Sequence, residues 1–333
     1  MPTIRDVAKR ANVGIATVSR VLNSSPSVSD ETRNAVLAAI EELDFTPNPI
    51  ARQLSTGRTS TIGVILPYLT MPSYVERLRG VQHALAETDY HMVLFSVGKP
   101  SERDAYIKDL PRNNLVDGIL IISLPPDDSQ AERLANADIP TVLVDAYHEK
   151  LCCILTDDVK GGKLATQHLI DLGHRRIAFL SEPLETPFHP STKYRYQGYR
   201  QALLENDIPF RSEYVISETR GRFKAKKMAK KLLGLPEPPT AIFAGNDTLA
   251  IGILDRAKDL KIKVPKELSV IGFDGIRDAE YTNLTTIDQN LFESGVEGVH
   301  MLLKALEAAP STPCERRLSL DLIRRKTTKK VKV

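Results

Sequence analysis

Ten polar and aromatic residues between Tyr68 and Gln289 have the chemistry to hold a small hydroxylated molecule. Tyr68, Ser73 and Tyr74 follow an apolar run that ends at Pro67. Ser123 and Asp145 close two further apolar runs, while Asn246 follows AIFAG and Asp274 follows VIGF. Arg195 and Phe223 open helical periods, and Gln289 lies in the segment TTIDQ. Carboxylates and amides exchange paired hydrogen bonds with hydroxyls, arginine offers a planar fork of donors, and aromatic rings stack on the apolar face of a sugar or base. That is binding chemistry. Catalytic patterns are missing: the turn where a dinucleotide fingerprint would stand reads PYLTMPSY, and there is no Walker loop, G-x-S-x-G or HExxH. Three cysteines, two of them adjacent at 152 and 153, give neither a disulfide framework nor CxxC metal spacing. They are expected as buried apolar positions in a reducing cytoplasm. No enzymatic activity, cofactor or metal is expected.

Why these ten should meet follows from the elements that carry them. Apolar runs without alternation recur at 62–67, 91–96, 118–123, 140–145, 176–181, 240–244 and 268–273. Amphipathic helical periods lie between them, at 75–87, 159–172, 194–205, 223–233 and 246–260. Such runs separated by helices imply parallel sheets covered on both faces. Ligands of open parallel sheets bind beyond the carboxyl ends of the strands, which is where most of the ten residues stand. The units exceed one comfortable sheet, so two halves are expected, changing over near Thr156 to Val159, with a last strand from Leu318 to Arg325. Asp145 and Asp247 have a second reading as caps of turns or helices.

The first 54 residues are of another kind. Ile4, Val7, Ala8 and Ala11 form one apolar stripe, Thr3 can cap that helix with Asp6, and Asn12-Val13-Gly14 breaks the period. A second helix turns Val18, Val21 and Leu22 inward and leaves Ile15, Ala16, Thr17, Ser19 and Arg20 outside. A small, polar outer face lets a helix end approach base edges, with Thr17, Ser19 and Arg20 as donors to bases or phosphates. Ser29 caps a third helix whose apolar stripe is Val36, Leu37, Ile40 and Leu43. Asn48 and Pro49 then open a helix of about seven residues, too short to persist alone in water.

Together these segments resemble the lactose-repressor (LacI/GalR) family of bacterial transcription regulators. The residues that carry the resemblance are IRDVAKRANVGIATVSRVLN, VSDETRNAVLAAIEELDFTPNPIARQL, VDGILI, DLGHRRIAFL, PTAIFAGND, SVIGFD and LTTIDQN, in that order over nearly the whole chain. The resemblance implies an all-α helix-turn-helix headpiece followed by an α/β core like that of periplasmic binding proteins, built of two doubly wound parallel-sheet subdomains. The implied divisions are 1–46 headpiece, 47–60 hinge helix and linker, 61–156 with 288–317 and 157–287 with 318–326 as the two core subdomains, and 327–333 a basic tail. It makes Ile15 and Ala16 base readers, Arg20 a major-groove contact, and Leu54, beside Ala51, a wedge pushed into the minor groove. Thr3, Thr17, Ser19, Asn23 and Asn48 complete the implied DNA-binding set. In the core it places Tyr74, Arg195 of Arg195-Tyr-Gln-Gly198, Phe223, Asn246, Asp274 and Gln289 at effector positions, beside Tyr68, Ser73, Ser123 and Asp145. Two departures stand out. Ile15 and Ala16 offer little direct hydrogen-bond readout, and Ser73 replaces the aromatic often found there.

The function expected is therefore a sequence-specific DNA-binding regulator, acting as a repressor, whose operator affinity is set by a sugar or sugar derivative bound between the subdomains. The alternative is a solute-binding or sensor protein of the same core fold without a transcriptional role. A helix-turn-helix that begins at residue 3 leaves no room for an export signal, which weighs against it. Net charge is only +3, yet Arg5, Lys9, Arg10 and Arg20 stand against Asp6 alone up to Ser24. That asymmetry fits near-palindromic double-stranded DNA gripped by a homodimer. A cluster at Arg220, Arg222, Lys224, Lys226, Lys227, Lys230 and Lys231 reads as a solvated face, or else as a site for an anionic effector such as a sugar phosphate near Phe223. No apolar heptad follows the last strand, so a dimer is expected rather than a tetramer. No run approaches membrane-spanning length, and the expected location is the cytoplasm.

Overall fold

The structure is a computed structural model that describes residues 2–22, 25–46, 53, 57–185, 188, 191–218, 222–308, 310 and 312–331. The chain divides into two compact units, Met1–Thr59 and Ser60–Val333.

In the first unit, helices α1 (Ile4–Arg10), α2 (Ile15–Leu22) and α3 (Asp30–Glu42) close on Val7, Ala8, Val18, Val21, Val36 and Ala39. Thr3 starts α1: its backbone N–H and its hydroxyl both donate to the Asp6 carboxylate, at 2.8 and 2.7 Å. These bonds hold Asp6 below the usual carboxylate range. The helix ends as Asn12 turns left-handed (φ 52°) and the Val13 amide reaches back to the Ala8 carbonyl at 3.0 Å, a C-terminal lock that needs a residue tolerant of positive φ. Ser29 caps α3 by accepting from the Thr32 amide. The stripe of α3 differs by one position from its sequence expectation: Leu37 is 49 % exposed, and Ala39 takes the buried place beside Val36. A small residue there lets α3 lie close over the first two helices.

Two six-stranded sheets form the second unit. One has the order β11-β5-β4-β3-β1-β2 and is parallel throughout. Its strands are β1 (Thr61–Pro67), β2 (His91–Val97), β3 (Gly118–Ile122), β4 (Thr141–Val144), β5 (Cys152–Leu155) and β11 (Glu315–Arg317). The other has the order β12-β10-β9-β8-β6-β7, from β6 (Ile177–Ser181), β7 (Val215–Ser217), β8 (Ala241–Ala244), β9 (Ser269–Asp274), β10 (Thr285–Asp288) and β12 (Asp321–Ile323). There only β12 runs antiparallel, against β10. Helices α4 (Pro72–Leu85), α5 (Pro100–Asp109), α6 (Asp128–Ala135) and α12 (Leu291–Glu307) accompany the first sheet, with α4 and α12 packed on each other. Helices α7 (Asp158–Asp171), α8 (Ser191–Glu205), α9 (Arg222–Leu233), α10 (Asp247–Asp259) and α11 (Arg277–Tyr281) accompany the second.

Each lobe has a helix pair in van der Waals contact at glycines. A Cβ on Gly80 of α4 would lie 2.0 Å from the Phe292 carbonyl oxygen of α12, and one on Gly295 of α12 would lie 2.1 Å from that of Arg77. In the second lobe a Cβ on Gly162 of α7 would meet the Arg195 carbonyl oxygen at 2.2 Å, and one on Gly198 of α8 that of Val159 at 2.1 Å. Backbones approach this closely only where side chains are absent.

The chain's end differs from its sequence reading. The segment read as one strand, 318–325, is a crossing: Leu318 packs on the first sheet, Leu320 on the second, and only Asp321–Ile323 pairs. Residues 327–331 also lie on the second sheet. Thr327 exchanges backbone and side-chain hydrogen bonds with Val270 and Thr285, and His174 meets the Lys329 carbonyl at 3.2 Å. Strands β5, β7, β10 and β11 are further elements absent from the sequence reading. Cys152 and Cys153 in β5 are buried as expected, whereas Cys314 is exposed.

Candidate functional site

Between the two sheets lies a cleft open to solvent, enclosing about 430 Å³ of space between its walls. Its walls follow the carboxyl ends of the strands. Met71, Ser73, Tyr74 and Arg77 come after β1, Asp145 after β4, and Glu182 after β6. Asn246 follows β8, Asp274 ends β9, Gln289 follows β10, and Ser191, Thr192 and Arg195 open α8. Three strand ends of the first sheet turn through left-handed backbone, at Tyr68 (φ 48°), Ser123 (φ 54°) and Asp145 (φ 56°). In the second sheet Asp274 (φ 117°) does so more severely. Non-glycine residues held in that region gather where surrounding structure over-determines them, often at ligand sites.

Arg195 is buried and engaged on several sides. Its Nε donates to Asp158 at 2.7 Å, and its Nη1 donates both to the Gly245 carbonyl at 2.7 Å and to Asp274 at 3.1 Å. The guanidinium lies 3.8 Å above the Phe273 ring. Asp274 also accepts from the Gln289 amide at 2.7 Å. Burial raises the Asp274 carboxyl to about 6, against the pull of Arg195 and Arg77, and burial raises Asp247 well above the usual range. Asp247 accepts from the amides of Gly275 and Ile276 and from the Thr286 hydroxyl, so it supports the turn that presents Asp274.

In the first lobe Arg77, 2 % exposed, pairs with Asp145 at 3.1 Å. It donates to the Ser294 hydroxyl at 2.6 Å and to the Gln289 carbonyl oxygen at 3.2 Å. Gln289 thus accepts from Arg77 and donates to Asp274, joining the two lobes through one amide. Asn246 caps α10 by accepting from the Leu249 amide at 2.9 Å and turns its other end toward Glu182, at 3.4 Å.

Seven of the ten residues singled out in the sequence line this cleft: Ser73, Tyr74, Asp145, Arg195, Asn246, Asp274 and Gln289. Three do not. Ser123 is buried behind Asp145 and donates to it at 2.6 Å. The Tyr68 ring packs edge-on against Phe188. Phe223 is 79 % exposed at the start of α9, and residues 219–221 before that helix lie outside the described residues. Arg77, Glu182, Ser191, Thr192 and Met71 escaped the sequence reading. Two had signals: Glu182 directly follows β6, and Arg77-Leu78-Arg79-Gly80 repeats the spacing of Arg195-Tyr-Gln-Gly198. The basic cluster is partly countered in space, since Lys226 faces Asp255 and Asp259 at 3.8 and 3.6 Å.

On the headpiece, Ile15 (46 % exposed), Ala16 and Arg20 are exposed on one face of α2, with Thr17 and Ser19 half-buried. Thr3 is exposed as well, engaged with Asp6. Arg10 is paired with Glu42 of α3. Asn23, Asn48, Ala51 and Leu54 lie outside the described residues.

Residues 3–48 match the model of bacterial regulatory proteins of the lacI family, and residues 166–328 that of a periplasmic binding protein-like domain. The chain is 34 % identical over 306 residues to catabolite control protein A of Priestia megaterium, covering 91 % of this chain and 92 % of that one. It is 33 % identical over 337 residues to the HTH-type transcriptional repressor PurR of Vibrio vulnificus, covering 99 % and 100 %. Among solved structures, a lac repressor dimer bound to operator and the anti-inducer ONPF superposes with a TM-score of 0.84 at 27 % identity, covering 98 % of this chain and 99 % of that one. A complex of the transcriptional regulator CelR with cellobiose gives 0.70 at 30 % identity, covering 98 % and 100 %. These likenesses take in both the helix-turn-helix and the two-sheet core, and they disfavour a solute-binding protein without a transcriptional role. No described helix is long and apolar enough to cross a membrane.

Proposed function

The chain belongs to the lacI family of bacterial regulatory proteins, and from that premise we propose that it represses transcription from a near-palindromic operator under control of a neutral, hydroxyl-rich effector held in the cleft between its sheets. One observation carries the reading: a single hydrogen-bonded network runs from Arg195 and Asp274 of one lobe through Gln289 to Arg77 and Asp145 of the other. A ligand that competes for these groups changes the fit of the lobes. It need only discriminate between two states, since about 1.4 kcal/mol alters their ratio tenfold, and the coupling to DNA is reciprocal. The described lining favours hydroxyls over phosphate, because Asp145, Glu182 and Asp274 face two arginines each already paired with a carboxylate. An anionic effector would be repelled by the former and find no spare charge on the latter. The ligand is released unchanged.

In this reading a homodimer sets two headpieces on the operator, with Ile15 and Ala16 against bases, Thr17, Ser19 and Arg20 donating beside them, and Leu54 opening a base step. Residues 1–46 form the headpiece and 47–60 the hinge helix and linker. Operator retardation in the presence of sugars, sugar phosphates and nucleobases is the test. A neutral sugar that shifts the retardation midpoint is expected, and a response confined to phosphorylated ligands would overturn the effector class. Leu54→Ala should weaken operator binding far more than nonspecific binding; equal losses would reject the wedge.

A further inference from the structure

Outside the cleft, two of the three cysteines meet where the chain returns to the first sheet. Strand β11 pairs in parallel with β5, with Glu315 opposite Cys153, so that one step back Cys314 stands opposite Cys152. The Cys153 amide donates to the Cys314 carbonyl at 2.8 Å, and the Cys314 amide donates to the Cys152 sulfur at 3.2 Å. Neighbouring strands run about 4.8 Å apart, inside the roughly 4.4–6.8 Å between α-carbons that a disulfide spans. Successive side chains on a strand point to opposite faces, and Cys153 is directed away, its thiol donating to the Leu151 carbonyl at 3.1 Å. Cys152 is buried in the core beneath α4 and α12, whereas Cys314 is exposed. One sulfur is therefore open to solvent and the other waits behind it.

We propose that Cys152 and Cys314 are a redox pair, joined by hydroperoxide into a reversible disulfide that braces β11, and with it the chain's last crossing between lobes, against β5. The Cys314 sulfur attacks one peroxide oxygen, the O–O bond breaks, and the departing oxygen leaves as water with the second proton, giving a sulfenic acid. The Cys152 sulfur then attacks the Cys314 sulfur, the S–O bond breaks, and a second water departs. Two thiols lose two electrons to one peroxide and yield one disulfide and two waters. A thiol reductant reverses the bond by exchange. Burial and the neighbouring Cys152 thiol push the Cys314 thiol up to about 11, so the thiolate is scarce at neutral pH and the bond forms only under sustained peroxide.

The test uses the full chain treated with hydrogen peroxide, quenched with catalase, alkylated after unfolding, and mapped by peptide mass spectrometry. Expected are a protein about 2 Da lighter with a Cys152–Cys314 linked peptide, a fall from three alkylatable thiols to one, and full reversal by dithiothreitol. Cys152→Ser and Cys314→Ser should block the linkage, and Cys153→Ser should leave it. A Cys314 oxidised to sulfinic acid or linked to a second chain, with Cys152 still alkylatable, would overturn the pairing. Bracing is read separately: the oxidised protein should melt at a higher Tm that dithiothreitol lowers again, and an unchanged Tm would overturn that part.

Discussion

Arg77 and Arg195 are the same device in two lobes, differently finished. Each lies one helical turn before a glycine where its helix touches another, Gly80 on α4 and Gly198 on α8, and each faces the cleft. Arg195 has two carboxylates, a carbonyl and an aromatic face. Arg77 has one carboxylate, a hydroxyl and an amide oxygen, and its buried Nε has no hydrogen-bond partner among the described residues. A buried donor without a partner costs free energy, so Arg77 gains from an arrangement that satisfies it, whereas Arg195 is already complete. The difference teaches that the second lobe supplies the fixed frame of the cleft and the first the side that can adjust.

Substitutions can break that asymmetry, the most damaging being Arg195→Met. It leaves Asp158 and Asp274 buried side by side without their cation, and such a loss costs about 3–5 kcal/mol. A large fall in the urea midpoint of unfolding is expected, and a fall no larger than that of Arg77→Met would abolish the distinction. Next come Gly198→Ala and Gly80→Ala. Both drive a methyl into a carbonyl oxygen, so both should destabilise by about 1–3 kcal/mol or more, and to similar extents. Unequal effects in thermal melts would mean that one helix pair yields where the other cannot.

Arg77→Met should cost less, about 1–3 kcal/mol, because it removes the orphan donor together with the ion pair and Asp145 keeps the Ser123 hydroxyl. The smallest effect is a pH dependence confined to the second lobe. Asp274 titrates near 6 in the fold and near 3.8 when unfolded, so the folded form holds the proton more tightly and Asp274 makes stability fall as pH rises between those values. Asp274→Asn should flatten that part of the stability profile and abolish the effector response at every pH. An unchanged profile would locate the titration elsewhere.

What the sequence disclosed depended on run length and on where side chains stand. Strands such as Ile119 to Ile122 are uninterrupted apolar runs bounded by polar residues, and no helix competes with them. Strand β5 has only four residues, Cys152–Leu155, and β7 three, too few to establish a period. The rule of inspecting strand ends found Asp145, Asn246 and Asp274, since the chain must turn there. The same rule overreached at Ser123, whose hydroxyl serves the neighbouring aspartate instead of the cleft. Arg77 was hidden because it sits within an amphipathic helix, where arginine ordinarily snorkels to solvent. Its burial depends on Ser294, Gln289 and Asp145, residues far along the chain that no local pattern brings together.

The order in which the sheets are completed bears on how the molecule is made. The first sheet takes its last strand from Glu315–Arg317 and one of its covering helices from Leu291–Glu307, after five of the six strands of the second sheet have been translated. The second takes β12 and the anchored residues 327–331 from later still in the chain. During synthesis, therefore, neither lobe can shield all of its apolar surface until these late segments have left the ribosome. At about 5–20 residues per second that leaves the nascent chain exposed for seconds, and it makes the two halves a single unit of quality control. A premature stop near residue 310 should yield two incomplete sheets and rapid degradation instead of one intact lobe.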